Sequence, residues 1–338
     1  VKVLLYAAVD LSLPGGLETH VRELHRYLVG RGHEVDVFGR PDRLPGFRMV
    51  GEVDPARYDV LHHHGGVWPR RLEGGARYVR TFHFCVGEKM SVYLRMRRYR
   101  TLVNLPNWMA RRDEGESLRR AGRSIAVSAR LRDELARHHG ADPSRIVVIP
   151  NGGGFGPPAE PRAALRARYG IAPEIPVLLT IGRDDFVKGL DLLERALRRA
   201  RALPPGLVWV RIGGSAPSRA VGRIVTGPIP HAEAMSWIHA ADVGAFPSYY
   251  EGGGIALLDM LAGGLYSLAH DVGVTAEVIR PGQNGEILAC DADAWARALE
   301  RTLAHPPPRP VGGLSDDYRW DAVCARVEVV YREAMARA

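Results

Sequence analysis

Short apolar runs recur along the chain, separated by stretches in which apolar residues return every three or four positions. Val3 to Val9 is the first run. Pro14-Gly15-Gly16 turns the chain, and Leu17, Val21, Leu24 and Leu28 follow at helical spacing. A short unbroken apolar run suits a strand buried on both faces, and the longer period suits one face of a helix. Gly30 and Gly32 end that helix, and Val35 to Phe38 forms the next strand. The result is a βαβ unit with a glycine turn at its first crossover. Asp59 to His64, Tyr78 to Phe84, Ser124 to Val127 and Ile146 to Ile149 continue the series of strands. Pro150-Asn151-Gly152-Gly153-Gly154 interrupts it.

The alternation restarts with Val177 to Ile181. A helix follows through Leu190, Leu193 and Leu197, then a strand over Leu207 to Ile212, a helix over His231 to Ala240 and a strand over Val243 to Phe246. Residues 293–304 and 320–337 have helical spacing. The pattern predicts two α/β halves, each with a mostly parallel sheet. The expected boundaries are 1–153 and 154–321, with 322–338 returning to the first half.

Composition fits this picture. A chain of 338 residues, 46% hydrophobic, is long enough for about two cores. The net charge is +8, yet only three of the 46 basic residues are lysines: Lys2, Lys89 and Lys188. A mild basic excess suits anionic substrates, and no nucleic-acid motif is visible. Cys85, Cys290 and Cys324 are too scattered for a disulfide framework or a zinc pattern, which fits a reducing cytoplasm. The N-terminal apolar run stops at Asp10 without a cleavage site, so no signal peptide is expected. No apolar run reaches the length of a membrane span.

Several stretches carry candidate chemistry. After the strand at Val243, Glu251 precedes three glycines, Gly252, Gly253 and Gly254, and the helix beginning near Ile255 carries Asp259. Uncovered amides at a helix N-terminus attract anions, and a carboxylate there accepts hydrogen bonds from paired hydroxyls. The bland alternative is a loop with a solvated Glu251. Gly182 and Arg183 end one strand, and Lys188 follows five residues after Arg183. Two cations so placed neutralise a diphosphate without a metal. Asp184 and Asp185 between them are the competing partners. His62, His63 and His64 end another strand, where His62 and His64 share a face and a metal is conceivable. No carboxylate or cysteine at ligand spacing supports one.

In this order, Gly182-Arg183-x4-Lys188-Gly189 and Pro247-Ser248-x-x-Glu251-Gly252-x-Gly254-Ile255 resemble the donor half of retaining glycosyltransferases of family four. So do Asp59-Val60-Leu61-His62-x-His64, Thr81-Phe82-His83 and Ile149-Pro150-Asn151-Gly152 for the other half. The resemblance implies the GT-B fold, two Rossmann-like domains facing a cleft that closes on substrate, with the C-terminal helix crossing back. It implies a nucleotide-diphosphate sugar as donor and no metal cofactor. Arg183 and Lys188 would bind the diphosphate, and Glu251 would sit by the sugar. The amides of Gly253 to Ile255 would hold its hydroxyls or the phosphate, and Asp259 the ribose. His83 would approach the transferred sugar, and Gly15 and Gly16 would admit the phosphates to the backbone, with Asn151 also at the substrate. The family's glutamate is Asp259 here, its turn aromatic is Gly253 and its proline is Tyr266. A nucleotide-sugar epimerase or hydrolase of the same fold is the rival reading, and a non-catalytic nucleotide-sugar binder is the third. The absence of GxGxxG disfavours an NAD-dependent oxidoreductase. The acceptor is not legible. Residues 92 to 123 are dense in arginine with interleaved apolar groups, broken at Pro106, and admit weak peripheral contact with an anionic membrane.

Overall fold

The computed structural model describes residues 1–65, 75–98, 105–220, 222–309 and 313–336. They form two compact units, Val1–Gly152 with Trp320–Ala338, and Gly153–Arg319. The first unit carries β1 (Lys2–Asp10), α1 (Gly16–Gly30), β2 (Glu34–Arg40), β3 (Arg48–Met49), β4 (Val60–Gly65), β5 (Gly75–Phe82), α2 (Val86–Arg95), α3 (Leu105–Arg120), β6 (Ala121–Ala126), α4 (Ala129–His139) and β7 (Ile146–Val148). The second carries α5 (Arg162–Arg168), β8 (Val177–Ile181), α6 (Leu190–Arg199), β9 (Val208–Ala220), β10 (Arg223–Gly227), α7 (His231–Ala240), β11 (Val243–Phe246), α8 (Ile255–Ala262), β12 (Ser267–His270), α9 (Thr275–Val278), β13 (Gly285–Leu288) and α10 (Ala292–Ala304). The chain then returns to the first unit as α11 (Trp320–Ala336).

The first sheet runs β3-β2-β1-β4-β5-β6-β7 and the second β10-β9-β8-β11-β12-β13. In both, strand order reverses at one place, between β1 and β4 and between β8 and β11. Open α/β sheets bind ligands beyond the carboxyl ends of the strands at such a reversal. The strand residues there are buried on both faces: Val3, Leu4 and Leu5 of β1 and Val177, Leu178 and Leu179 of β8 are fully covered. Apolar runs without alternation were expected of such strands.

Each unit has its own core. Trp237, Leu257, Leu258 and Leu261 anchor the second. In the first, Val323, Val327, Val330 and Tyr331 of α11 pack into the same cluster as Val3, Leu5 and Leu24. Thus α11 fills part of the first core. The basic run is interrupted, but before Pro106 and not at it: α2 ends at Arg95, and Pro106 lies in the first turn of α3, where a proline loses no helical hydrogen bond.

Candidate functional site

In the second unit, the sites follow the two strands that flank the reversal. After β8, Gly182 leads to Arg183, which is exposed. Asp184 reaches Arg211 in an ion pair, and the Asp185 carboxylate accepts from the Val187 amide at 3.2 Å. The aspartates thus hold the loop, and Lys188 turns elsewhere. Gly189 has φ of 64°, and a Cβ there would sit 2.0 Å from the Pro247 carbonyl oxygen. Only glycine meets both demands. The close approach lets the Tyr249 amide donate to Val187 at 2.7 Å, stitching the loop after β8 to that after β11.

This stitching brings Lys188 to Glu251, sixty-three positions away in sequence. Lys188 Nζ donates to Glu251 Oε1 at 2.6 Å, and the Ser248 hydroxyl donates to the same oxygen at 2.9 Å. The side chains are 22% and 13% exposed, so the pair is shielded yet reachable. His270 Nδ1 donates to the Ser248 carbonyl at 2.8 Å and braces the loop. Gly252, Gly253 and Gly254 are buried, and Gly254 caps α8 with φ of 69° and without a side chain over the first turn. A helix start with no side-chain cap, beside an ammonium group, is a receptor for negative charge.

Asp259 lies one turn into α8. Its Oδ1 accepts from the Gly154 amide at 2.7 Å, and its Oδ2 is 3.1 Å from His231 Nε2. Both oxygens already have partners within the unit, and the outer one, His231, is largely exposed. Tyr266, where the family pattern has proline, is buried and its hydroxyl donates to Glu286.

In the first unit, Gly15 sits ahead of α1 at the end of β1. A Cβ there would lie 2.0 Å from Glu18 Oε2, so the glycine lets the Glu18 carboxylate fold over the start of the helix. Gly16 opens the helix itself. His83 follows β5. Around it gather His20 from α1 and His62 and His64 from β4, with ring centroids 4.9 Å (His20–His83), 5.6 Å (His64–His83) and 3.9 Å (His62–His64) apart. Burial holds all four pKa values below the usual imidazole range, His20 at about 4. They are therefore neutral near pH 7. Asn151 is buried and its Oδ1 accepts from His20 Nδ1 at 2.9 Å, so it orients a neighbour of His83. His20 escaped the sequence reading because nothing in a helix seam marks one histidine. The His62-x-His64 alternation was the visible trace of this cluster.

His62 Nδ1 is 2.6 Å from the Tyr331 hydroxyl, and its Nε2 is 2.8 Å from Thr81 Oγ1. With both nitrogens bonded, His62 is a strut between β4, β5 and α11, not a ready metal ligand. Among the described residues, one group gathers three ligand-type atoms within 4.8 Å of one another: Cys85, Glu114 and His139. Glu114 accepts from the Val86 amide at 3.0 and 3.1 Å and from His139 at 2.7 Å. Burial drives the Cys85 thiol upward, so it stays protonated. These contacts tie α2, α3 and α4 together.

The basic segment divides into α2 and α3, and residues 99–104 lie outside the described part. Arg95 pairs with Glu88 at 2.8 Å. Trp108 and Met109 stand 54% and 55% exposed near the start of α3. No helix among the described residues is long and apolar enough to cross a membrane.

Residues 175–305 match the family described as glycosyl transferases group 1, and residues 44–152 match glycosyltransferase family 4. The chain is 30% identical to the D-inositol 3-phosphate glycosyltransferase of Streptosporangium roseum, over 91% of this chain and 78% of that one. Sucrose-phosphate synthase from Thermosynechococcus elongatus superposes with a TM-score of 0.80 at 22% identity, covering 100% of both chains. Anabaena HepE, solved with UDP-glucose, superposes with a TM-score of 0.69 at 17% identity, covering 99% of this chain and 95% of that one. With two parallel-sheet Rossmann-like units of matching topology, the chain belongs to the family four glycosyltransferases of the GT-B fold.

Proposed function

We propose that this glycosyltransferase moves a sugar from a nucleotide-diphosphate sugar to an acceptor hydroxyl with retention at the anomeric carbon, and needs no metal. The observation that carries the proposal is the junction of Lys188, Glu251 and Ser248 beside the glycine-capped start of α8. The chemical barrier is departure of the diphosphate, as negative charge grows on its bridging oxygen. Arg183, Lys188 and the amides of Gly253 to Ile255 act on that charge more strongly than on the bound donor, which is how a fixed electrostatic site lowers a barrier. On donor binding, Lys188 exchanges part of its bond to Glu251 for phosphate, and the freed Glu251 oxygen accepts from a sugar hydroxyl. Asp259 serves the ribose, with His231 yielding one oxygen of the carboxylate. Gly15 and Gly16 admit the phosphates to the backbone at α1 once the Glu18 carboxylate over the helix start swings aside, and His83 meets the sugar.

Retention follows if the acceptor attacks the face the diphosphate leaves, through an oxocarbenium-like state. The name of the S. roseum relative makes D-inositol 3-phosphate the first acceptor to assay. The test incubates the protein with UDP-, ADP- and GDP-sugars, with and without that acceptor, and follows anomeric protons by NMR. Acceptor-dependent product of unchanged anomeric configuration is expected. Inverted product would overturn retention. Rapid consumption without acceptor would favour a hydrolase or epimerase, and tight binding without turnover a binding protein.

A further inference from the structure

The His62-x-His64 pair contributes nothing to the chemistry above, and β4 is irregular where it occurs. β1 and β4 pair Tyr6 with His63, but the next pair is Ala7 with Gly65. His64 is an extra residue on β4. Such a bulge releases a side chain from the alternation of the strand and re-aims it, often beside an active site. His62 remains in register opposite Leu5, and its two nitrogens are bonded to Tyr331 and Thr81. His64 takes another partner: its Nδ1 lies 3.3 Å from His83 Nε2. Between two neutral imidazoles such a contact holds a single proton, one ring donating and the other accepting. The opposite nitrogens, His64 Nε2 and His83 Nδ1, are buried without a partner.

We propose that His64 is the positioning residue for His83: it fixes the ring through Nε2 and leaves Nδ1 as the nitrogen that meets a substrate hydroxyl. The proposal rests on the reading of His83 as a group that touches the transferred sugar. A buried nitrogen without a partner is costly and calls for one that arrives later. A sugar hydroxyl both donates and accepts, so it satisfies Nδ1 in either tautomer. His20 packs edge-on against the His83 ring and is itself held by Asn151. The ring is therefore restrained by contact and by hydrogen bond. Loss of the hydrogen bond leaves His83 in place but free to flip or change tautomer, and small errors in aim at a reacting centre cost much rate.

The experiment compares His64→Leu, His64→Asn and His64→Gln. An asparagine amide reaches the position of Nδ1, and a glutamine amide that of Nε2, so Asn keeps the contact with His83 and Gln loses it. Histidine-selective 15N NMR on the ligand-free full chain reads the His83 tautomer. A single fixed tautomer is expected in the wild type and in His64→Asn, and a mixture in His64→Leu and His64→Gln. With the donor that the sugar panel identifies, kcat should fall roughly 10- to 100-fold for Leu and Gln. KM should stay within about two-fold, as expected when ground-state binding is untouched, and Asn should recover most of the loss. In a His83→Ala background, His64→Leu should add nothing further. If His64→Leu does not fold, Gln carries the same comparison. A folded Leu or Gln variant with wild-type kcat, or an unchanged His83 tautomer, overturns the role of His64. A fully active His83→Ala enzyme overturns the reading beneath it as well, whereas an inactive one with normal His64 variants overturns the positioning role alone.

Discussion

The two sheets share one strand order and place their candidate chemistry at the same point in it, yet they use opposite materials. The first unit gathers four imidazoles, three buried and His83 partly so, all held neutral. The second unit pairs an ammonium with a carboxylate, both partly exposed, and leaves the Arg183 guanidinium exposed on the neighbouring loop. Burial penalises charge far more than it penalises a hydrogen-bonded neutral group. Buried positions therefore favour neutral rings, whose chemistry suits hydroxyls, and more exposed positions favour charges, whose chemistry suits phosphate. The fold fixes where a ligand binds, and the depth of the site decides which kind of group recognises it.

The sharpest way to break this contrast is Lys188→Ala. The change should lower turnover by roughly two to three orders of magnitude while the first unit is untouched. Initial rates with saturating donor check it, and a variant with full activity would remove the charged half of the comparison. Acid should act on the other half. The folded pKa of His20 is about 4, below the ordinary 6.5. As pH falls from 6.5 to 4, the unfolded chain takes up a proton that the folded form refuses, so stability drops across this window, by about 1.4 kcal/mol per pH unit for this ring. Below 4 both forms are protonated and the slope ends. Calorimetry at pH 7 and pH 5 should show the first unit's transition moving down more than the second's; equal shifts would contradict the contrast. Tyr331→Phe removes the hydroxyl at 2.6 Å from His62 Nδ1. An orphaned buried nitrogen costs about 1–3 kcal/mol, and urea titration should place the loss in the first unit. The smallest effect concerns the surface. Trp108 and Met109, beside Arg111 and Arg112, should give weak sedimentation with anionic liposomes at low salt that vanishes in Trp108→Ala. Equal binding to neutral liposomes would point away from charge.

Much of the second unit was legible in the sequence. The helix His231–Ala240 and the strands Val177–Ile181 and Val243–Phe246 fall where periodicity placed them, because short strands buried on both faces leave unbroken apolar runs. β12 and β13 escaped: Ser267–His270 and Gly285–Leu288 are four residues each and carry polar or small groups. Arg183, Lys188 and Glu251 could be singled out as motifs, but the bond between Lys188 and Glu251 spans two strand ends and has no local trace. Asp184 and Asp185 were the nearer partners in sequence, and tertiary structure gave Asp184 to Arg211. In the first unit, alternation along β4 paired His62 with His64, and their rings do meet. The bulge that sends them to different partners depends on the register with β1, which no single-strand pattern records.

The discontinuity of the first unit bears on how the protein is made. A ribosome synthesises all of residues 153–319 before it reaches α11. The chain of the second unit is therefore complete while the first still lacks Val323, Val327, Val330 and Tyr331 from its core, although domains generally fold as whole units. Until then the apolar face that receives α11 is a target for chaperones, and a chain truncated before α11 would carry a first unit that cannot close its core.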